Sequence, residues 1–417
     1  MRIKDTSQPR PLEGMTVLDL TTALAGPYAT LLLAGLGARV IKIENPRSPD
    51  TARNNAPFVG RDGVAMVRRH EDDMSLAIME RARNKESITL NLKDPRGREL
   101  FERLVQQADA VVENFSAGTA DRLGVGYTRC AELNPRIVYT SISGFGANMV
   151  SRQNRAMDTI VQALSGLMMT SGEADAPPLR VGVPFGDLTA PLFAVIGTLA
   201  ALIQARTTGK GQHVDVSLLG AITALVAAEP FEVMRRTGQA TRTGNTMPRL
   251  APFGIFPTQD GHIAICAPTD GFTASLFDAM GCPELAKDER FVSRDQRVQN
   301  HEGLHALIEA WTRSLSTDEA VERLERAEVP SGRVRDPGQA VRDPRLLARG
   351  ETEVIEHPTY GAVEDIIVGG LPIRMTGAFA GFDKPAPGLG QHNADVFSQF
   401  LGLDAAAIDQ LRAEGVV

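Results

Sequence analysis

The first half of the chain repeats one pattern, a short apolar run followed by a stretch with helical spacing. Residues 15–20 (MTVLDL), 39–44 (RVIKIE), 87–92 (SITLNL), 110–115 (AVVENF) and 136–142 (RIVYTSI) predict strands. Helices are predicted over residues 27–36 and over PRGRELFERLVQQA, which follows the third strand. Alternating strands and helices predict a parallel sheet covered by helices on both faces. Between residues 45 and 84 the periodicity fails, and Arg68, Arg69, His70, Glu71, Asp72 and Asp73 follow one another. That stretch predicts a solvated surface excursion or a lid. The longest charge-free run, residues 188–205, approaches the length of about 20 apolar residues that spans a membrane. It carries Thr189, Pro191, Thr198 and Gln204, so it is expected as a helix buried in a large domain.

Beyond residue 225 the pattern changes. Residues 251–267 predict a hairpin around the Asp260-Gly261 turn. Helical stretches follow at 271–280, 301–315 and 317–327. β-type patterns return at 345–374, and helices close the chain from residue 392. The expected architecture is α/β: a large Rossmann-like domain with a parallel sheet, built from residues 1–224 and 336–417. A smaller α+β domain is inserted at 225–335.

Composition narrows the function. A net charge of −7 over 417 residues argues against nucleic-acid binding but leaves room for a local basic pocket. Cys130, Cys266 and Cys282 are too few and too far apart for a disulfide framework or a zinc site, and fit a reducing cytoplasm. The opening MRIKDTSQPRPLEG has no apolar core of a signal peptide. A parallel sheet invites a dinucleotide, but TTALAGPYAT after the first strand lacks the G-x-G-x-x-G fingerprint. TTGKG at 207–211 lacks the glycine and hydroxyl positions of a phosphate loop, and no G-x-S-x-G is present. His301 and His305 share a helix face, which is expected to be solvated rather than a metal site.

From residue 12 to 219 the chain resembles the family III CoA-transferases, which include formyl-CoA and carnitine CoA-transferases, and the similarity continues more weakly to the end. It rests on LEGMTVLDLTTALAGP, GARVIKIENP, RNKESITLNLKDPRGRELFERLVQQADAVVENFSAGTADRLGVGY, NPRIVYTSISGFG and MDTIVQALSGLMMTSGEADAPPLRVGVPFGDLTAPLFAVIGTLAALIQARTTGKGQHVDVSL in that order. The resemblance places the nucleophile at Asp187, in VGVPFGD. Read from the residues alone, Asp187 precedes an apolar helix and suits an N-cap, where backbone N–H groups and the helix dipole would hold a carboxylate ionised. The two readings are compatible.

The resemblance further implies coenzyme A as co-substrate, with no tightly bound cofactor and no metal. It maps CoA contacts to Leu24, Ala25, Asn45, Asn84, Lys85, Asn114, Phe115 and Arg122, with Lys85 and Arg122 meeting phosphates. Gly244 and Asn245 fall where the family has a glycine-rich substrate loop, and Arg242 or Arg249 could clamp a second carboxylate of a dicarboxylic acid. The family forms interlocked homodimers, so a cytoplasmic homodimer free of nucleic acid and membrane is expected. Leu24 stands where formyl-CoA transferases have Gln, which points away from formyl-CoA and oxalate. Ala147-Asn148-Met149-Val150 also departs from the family's usual Gln-Thr-Gly-Pro. The racemase branch carries a His before its Asp; here Met157 precedes Asp158, and a thioether cannot take the proton. Two further readings compete. The intact surroundings of Asp187 argue against a non-catalytic CoA-binding protein, and the missing glycine fingerprint argues against a nicotinamide oxidoreductase.

Overall fold

The structure, a computed structural model, describes residues 8–147 and 156–417. The departures at 148–150 lie outside the described residues. The chain divides into two compact units, one of residues 1–165, 181–226 and 341–417, the other of 166–180 and 227–340.

In chain order the larger unit opens with β1 (Thr16–Asp19), α1 (Ala25–Gly35) and β2 (Arg39–Glu44). The short strands β3 (Phe58–Gly60), β4 (Gly63–Ala65) and β5 (Met74–Ser75) precede α2 (Leu76–Arg81). Then come β6 (Lys85–Thr89), α3 (Pro95–Val105), β7 (Ala110–Glu113), α4 (Thr119–Leu123), α5 (Tyr127–Leu133) and β8 (Val138–Ser143). After the undescribed stretch follow α6 (Asp158–Leu164), α7 (Phe185–Thr208), β9 (His213–Ser217) and α8 (Leu218–Val226).

Six strands form one wholly parallel sheet in the order β6-β2-β1-β7-β8-β9. The order reverses direction between β1 and β7, which defines a crevice at their carboxyl ends. Strands covered on both faces read as continuous apolar runs. Leu18, Ile41, Val111 and Tyr139 pack on one face against Leu100, Leu104 and Val105 of α3 and against Val396 and Phe397. Val17, Val40 and Val112, at the alternate positions, are equally buried, and α1 packs against α7. Helix α3 forms where Asp94 caps it, Pro95 occupies its first turn, and Leu100, Phe101, Leu104 and Val105 repeat at helical spacing. The exposed edge of β6 is closed by the tail. Ser87 N donates to His392 Nδ1 at 3.1 Å, and Asn393 Oδ1 accepts from Thr89 N at 2.9 Å.

Three expectations are corrected. Residues 46–83 hold more regular structure than a surface excursion suggests: β3 pairs with β4 and β5, and Val59 and Met79 pack against Ile355 and Val368, while Arg68, Arg69, Glu71 and Asp72 stay exposed as expected. Apolar positions scattered among the charges suffice to anchor it. Helix α7 is long and apolar enough to cross a membrane, yet only half of that window is buried inside the chain. Its other face shows Leu192, Phe193, Ile196 and Ile203 to solvent, so it is not sealed in a core. Strand β9 was not expected, because HVDVS alternates polar with apolar residues and stays half-buried at the far edge.

The smaller unit holds a three-stranded antiparallel sheet, Phe253–Pro257, His262–Cys266 and Ser331–Arg333. The first two strands flank the Asp260-Gly261 turn as the sequence predicts, while the third was not anticipated. Phe256, Ile263, Ile265, Phe277, Leu304, Ile308 and Leu324 form its core with the helices Asp270–Met280, His301–Thr312 and Thr317–Arg326. Ser316 and Glu319 make a reciprocal capping box at the last of these.

Candidate active site

The loop after β1 runs over the crevice. Asn114, just beyond β7, clamps it by accepting from Thr22 N and donating to Thr22 O, both at 2.9 Å. Ala23 adopts φ +65°, a conformation that side chains other than glycine rarely take. It is held from both sides: Ala23 N donates to Asp50 Oδ1 at 2.8 Å, and Arg81 Nη1 donates to Ala23 O at 2.9 Å. Gly26 is required two residues into α1 for closeness, since a Cβ there would lie 2.4 Å from the Thr21 side chain.

Beside this loop lies a cleft of about 170 Å³ at the carboxyl ends of β1, β2, β6 and β7. Asn45 and Phe115 line it with Thr22, Asp50, Leu92 and Lys93. The volume is small against the 300–1,000 Å³ typical of ligand pockets, so a CoA-sized molecule would lie along it rather than inside it. Another cavity, about 230 Å³ and lined by Met15, Asp109 and Arg136, opens at the amino ends of the strands, away from this crevice. Lys93 escaped the sequence reading; its signal was a lysine directly after the apolar run 87–92.

The mapped CoA residues separate into two groups. Leu24 is the half-buried residue that starts α1, Ala25 is buried beside it, and Arg122 is exposed on α4 with one donor on Thr119 Oγ1 at 2.7 Å. These three, with Asn45 and Phe115, surround the carboxyl ends of the strands, and Asn114 shapes the loop. Lys85 and Asn84 do otherwise. Lys85 is sealed beneath α1, where its ammonium meets Asp19 Oδ2 at 3.0 Å, Thr30 Oγ1 at 2.7 Å and Pro27 O at 2.9 Å. All three donors are used, so Lys85 is a core ion and not a phosphate ligand. Burial pulls it down to about 8 against the pull of Asp19. Burial would push Asp19 up, but Lys85, Lys42, Thr21 and Thr30 together hold it at about 2. Asn84, at φ +59°, spends its carboxamide on Asp383 and Lys384, pinning the tail.

Asp187 lies in the first turn of α7, which Pro184 opens. It is therefore not the N-cap. That service comes from Asp158, the first residue of α6, whose Oδ1 accepts from Gly186 N at 2.7 Å and Asp187 N at 3.4 Å. Gln162, one turn on and fully buried, donates to Asp158 Oδ2 at 2.7 Å and accepts from Val181 N at 2.9 Å. The Asp187 carboxylate itself accepts no hydrogen bond among the described residues. Burial first, then the Asp158 charge, push it from 3.8 up to about 6, with Arg81 opposing. This corrects the expectation that the helix dipole decides its charge. A helix N-terminus favours an anion by about 0.3–1 kcal/mol. Desolvation and Asp158 outweigh that at about 1–2 kcal/mol, after discounting for partial exposure. The result is a half-buried carboxylate, ionised at neutral pH and bare of donors that would blunt its nucleophilicity.

The residues expected to face the acid fall in the smaller unit. Gly244 has φ +59° and lies so close to Glu173 that a Cβ would sit 2.1 Å from its carboxylate. Asn245 O accepts from Ile255 N at 2.9 Å. Arg242 gives its guanidinium to Ala174 O, Ala176 O and Pro177 O, which commits it to bracing the 174–177 segment rather than to a clamp. Arg249 pairs with Glu229 at 2.7 Å on the surface. Among the described residues no cluster of three or more potential metal ligands occurs.

The doubly wound sheet places a crevice at its switch point, and Asp187 presents a bare carboxylate in the first turn of α7. Comparison with known proteins is specific. Residues 12–393 match CoA-transferase family III, and the chain belongs to that family. It is 35% identical over 410 residues to the succinyl-CoA–D-citramalate CoA-transferase of Chloroflexus aurantiacus, covering 98% of each chain. It is 38% identical over 401 residues to the acetyl-CoA:oxalate CoA-transferase of Acetobacter aceti, covering 95% of this chain and 97% of that one. A crystal structure of a CAIB/BAIF family protein from Brucella suis superposes with a TM-score of 0.80 at 33% identity, covering 94% of this chain and all of that one.

Proposed function

We propose that this enzyme moves coenzyme A from an acyl-CoA, such as succinyl-CoA, to a dicarboxylic acid, with Asp187 as covalent nucleophile. The observation that carries the reading is the Asp187 carboxylate, half-buried, raised to about 6 and free of hydrogen-bond donors. An Asp187 Oδ atom attacks the thioester carbonyl, the C–S bond breaks, and CoA leaves as thiolate, giving a mixed anhydride. The thiolate then attacks Asp187 Cγ, and the C–O bond of the anhydride breaks to release the donor acid as a carboxylate. Asp187 now carries CoA as a thioester. The acceptor carboxylate attacks Asp187 Cγ, expels the thiolate and forms a second anhydride. Thiolate attack on the acceptor's carbonyl carbon gives the new acyl-CoA and restores Asp187. No step gains or loses a proton, so an ionised carboxylate suffices and no general base is needed.

In this reading CoA lies on the larger unit along Leu24, Ala25, Asn45, Phe115 and Arg122, and Lys93 takes over the cationic role assigned to Lys85. The relatives act on citramalate and oxalate by name, so oxalate returns to the set of candidate acids. Met157, 73% exposed and without a basic atom, stands against racemisation. The apolar face of α7 supports the homodimer, which a measured solution mass of one chain would overturn; the protein is assigned to the cytoplasm.

The test is peptide mapping after incubation with succinyl-CoA and then hydroxylamine. A hydroxamate on Asp187 is expected. Absence of the label with succinyl-CoA, acetyl-CoA and other donors would overturn the covalent reading. Screening citramalate, mesaconate, glutarate and oxalate as acceptors then identifies the acid.

A further inference from the structure

Residues 21–23 carry the chain from β1 to α1 across the switch point, and each of their backbone polar groups is taken by a side chain. Thr21 N donates to Asp19 Oδ1 at 2.9 Å, and Thr21 O accepts from Lys42 Nζ at 2.7 Å. Asn114 serves both groups of Thr22. Ala23 N donates to Asp50 Oδ1 at 2.8 Å, and Ala23 O accepts from Arg81 Nη1 at 2.9 Å. Loops that merely connect two elements leave such groups to water.

The need for this hold is local. Ala23 has φ +65°, which a Cβ disfavours, so on its own it would relax to negative φ and redirect the chain that follows. Directly beyond it α1 starts at Leu24 with no side-chain cap, and among the described residues the N–H groups of Ala25 and Gly26 find no acceptor. The conformation of Ala23 therefore fixes where these open donors point.

Asp50 does most to fix it. Its side chain is fully buried behind the cleft that Thr22, Asn45 and Phe115 also line. Oδ1 accepts from Ala23 N and, at 2.9 Å, from Ala52 N, where it caps the turn Thr51–Asn54. Oδ2 lies 2.9 Å from Lys42 Nζ, charge against charge without an aligned hydrogen bond. The ion pair thus grips the loop at both ends, residue 21 through Lys42 and residue 23 through Asp50. A carboxylate fixed by a buried cation cannot swing away without baring both charges.

We propose that Asp50 is a positioning residue for CoA: braced by Lys42, it holds Ala23 in the left-handed conformation and so sets the start of α1, where CoA contacts are assigned to Leu24 and Ala25. The proposal rests on the CoA-transfer reading and deepens it. A loop already held in its bound shape loses no freedom when the ligand arrives, which raises affinity.

The experiment measures the Kd of CoA for the full chain by calorimetry, well below the melting temperature of each variant. It compares wild type, Asp50→Ser, and Asp50→Ser combined with Ala23→Gly. Serine can still cap Ala52 N but is too short to hold Ala23 N and Lys42 as well. Loss of the charge-assisted hydrogen bond predicts a Kd raised about tenfold in Asp50→Ser. Glycine takes positive φ freely, so the double variant is expected to regain about threefold or more. A merely structural role of the Lys42–Asp50 pair would lower the melting temperature without that rescue. An unchanged Kd in Asp50→Ser, or a raised Kd that Ala23→Gly does not improve, therefore overturns the proposal. Should Asp50→Ser fail to fold, Asp50→Asn keeps the size but has one oxygen, which leaves either Ala23 N or Lys42 facing a donor. It is then expected to raise the Kd about threefold or more, and a wild-type Kd overturns the proposal. Hydroxylamine labelling of wild-type Asp187 after succinyl-CoA separates the two levels. Label together with a wild-type Kd in the Asp50 variant rejects Asp50 alone; a wild type that neither binds CoA nor takes the label rejects the transfer reading as well.

Discussion

Replacing Asp187 with Asn should raise stability at neutral pH while abolishing turnover. The carboxylate lies at about 6 in the folded chain against 3.8 for an unperturbed Asp, so its ionised form is disfavoured by folding. Between those values the native state binds more protons than the unfolded state. Stability of the wild type therefore falls as pH rises from about 4 to 6, then levels off. The full difference corresponds to about 3 kcal/mol, reduced to about 1–2 because the side chain is partly exposed. Asn keeps the shape and has no charge to desolvate. The variant should gain about 1–2 °C in melting temperature at pH 7.5 and little at pH 4.5, read by parallel thermal scans across pH. Wild-type acyl transfer should show the matching acid limb. About nine-tenths of Asp187 is ionised at pH 7 and about one-tenth at pH 5, a tenfold loss in kcat/KM for the acyl-CoA. An Asp187→Asn protein less stable than wild type at pH 7.5, together with a rate flat to pH 5, would refute the reasoning. Both results would mean that the helix N-terminus, not desolvation and Asp158, governs the charge.

Three further perturbations test the surroundings. Asp158→Asn keeps an acceptor for Gly186 N but removes a negative charge, so the acid limb should move below 6; a limb that stays or rises contradicts the assigned cause. Lys85→Met leaves Asp19 buried without its ion-pair partner and should cost about 3–5 kcal/mol in urea unfolding. A loss below about 1 kcal/mol would reopen Lys85 as a ligand-facing residue. Asn114→Ala frees the Thr22 loop of two hydrogen bonds and should weaken CoA about fivefold by calorimetry; unchanged affinity would mean that the loop is preorganised by Ala23 alone.

The sequence reading was strongest where chemistry repeats locally. RVIKIE predicted β2 to the residue, since an apolar run bounded by turns has few other uses. The helices around Leu100 and Leu304 followed from their apolar spacing. The order of motifs was enough to place the family and to single out Asp187. HVDVS, by contrast, reads as polar alternation, and only pairing with β8 makes it a strand. The scattered apolar residues of 46–83 gain meaning only against Ile355 and Val368, some 300 positions away.

Periodicity, capping and turn chemistry act between residues a few positions apart. The β-α alternation, the inserted second pattern and the family's motif order were therefore legible along the chain. Side-chain partnership acts through space, so the fate of each ionisable group emerged only once the chain was folded. Lys85 looked like a phosphate ligand and proved to be the counter-ion of Asp19. Arg242 looked like a clamp and proved to brace the sequence-distant 174–177 segment. Asp158 caps a helix that begins 27 residues further on, and Arg81 meets Ala23 across 58 residues. Burial and pairing set the charge and availability of each such group, and both depend on neighbours that the linear chain does not name.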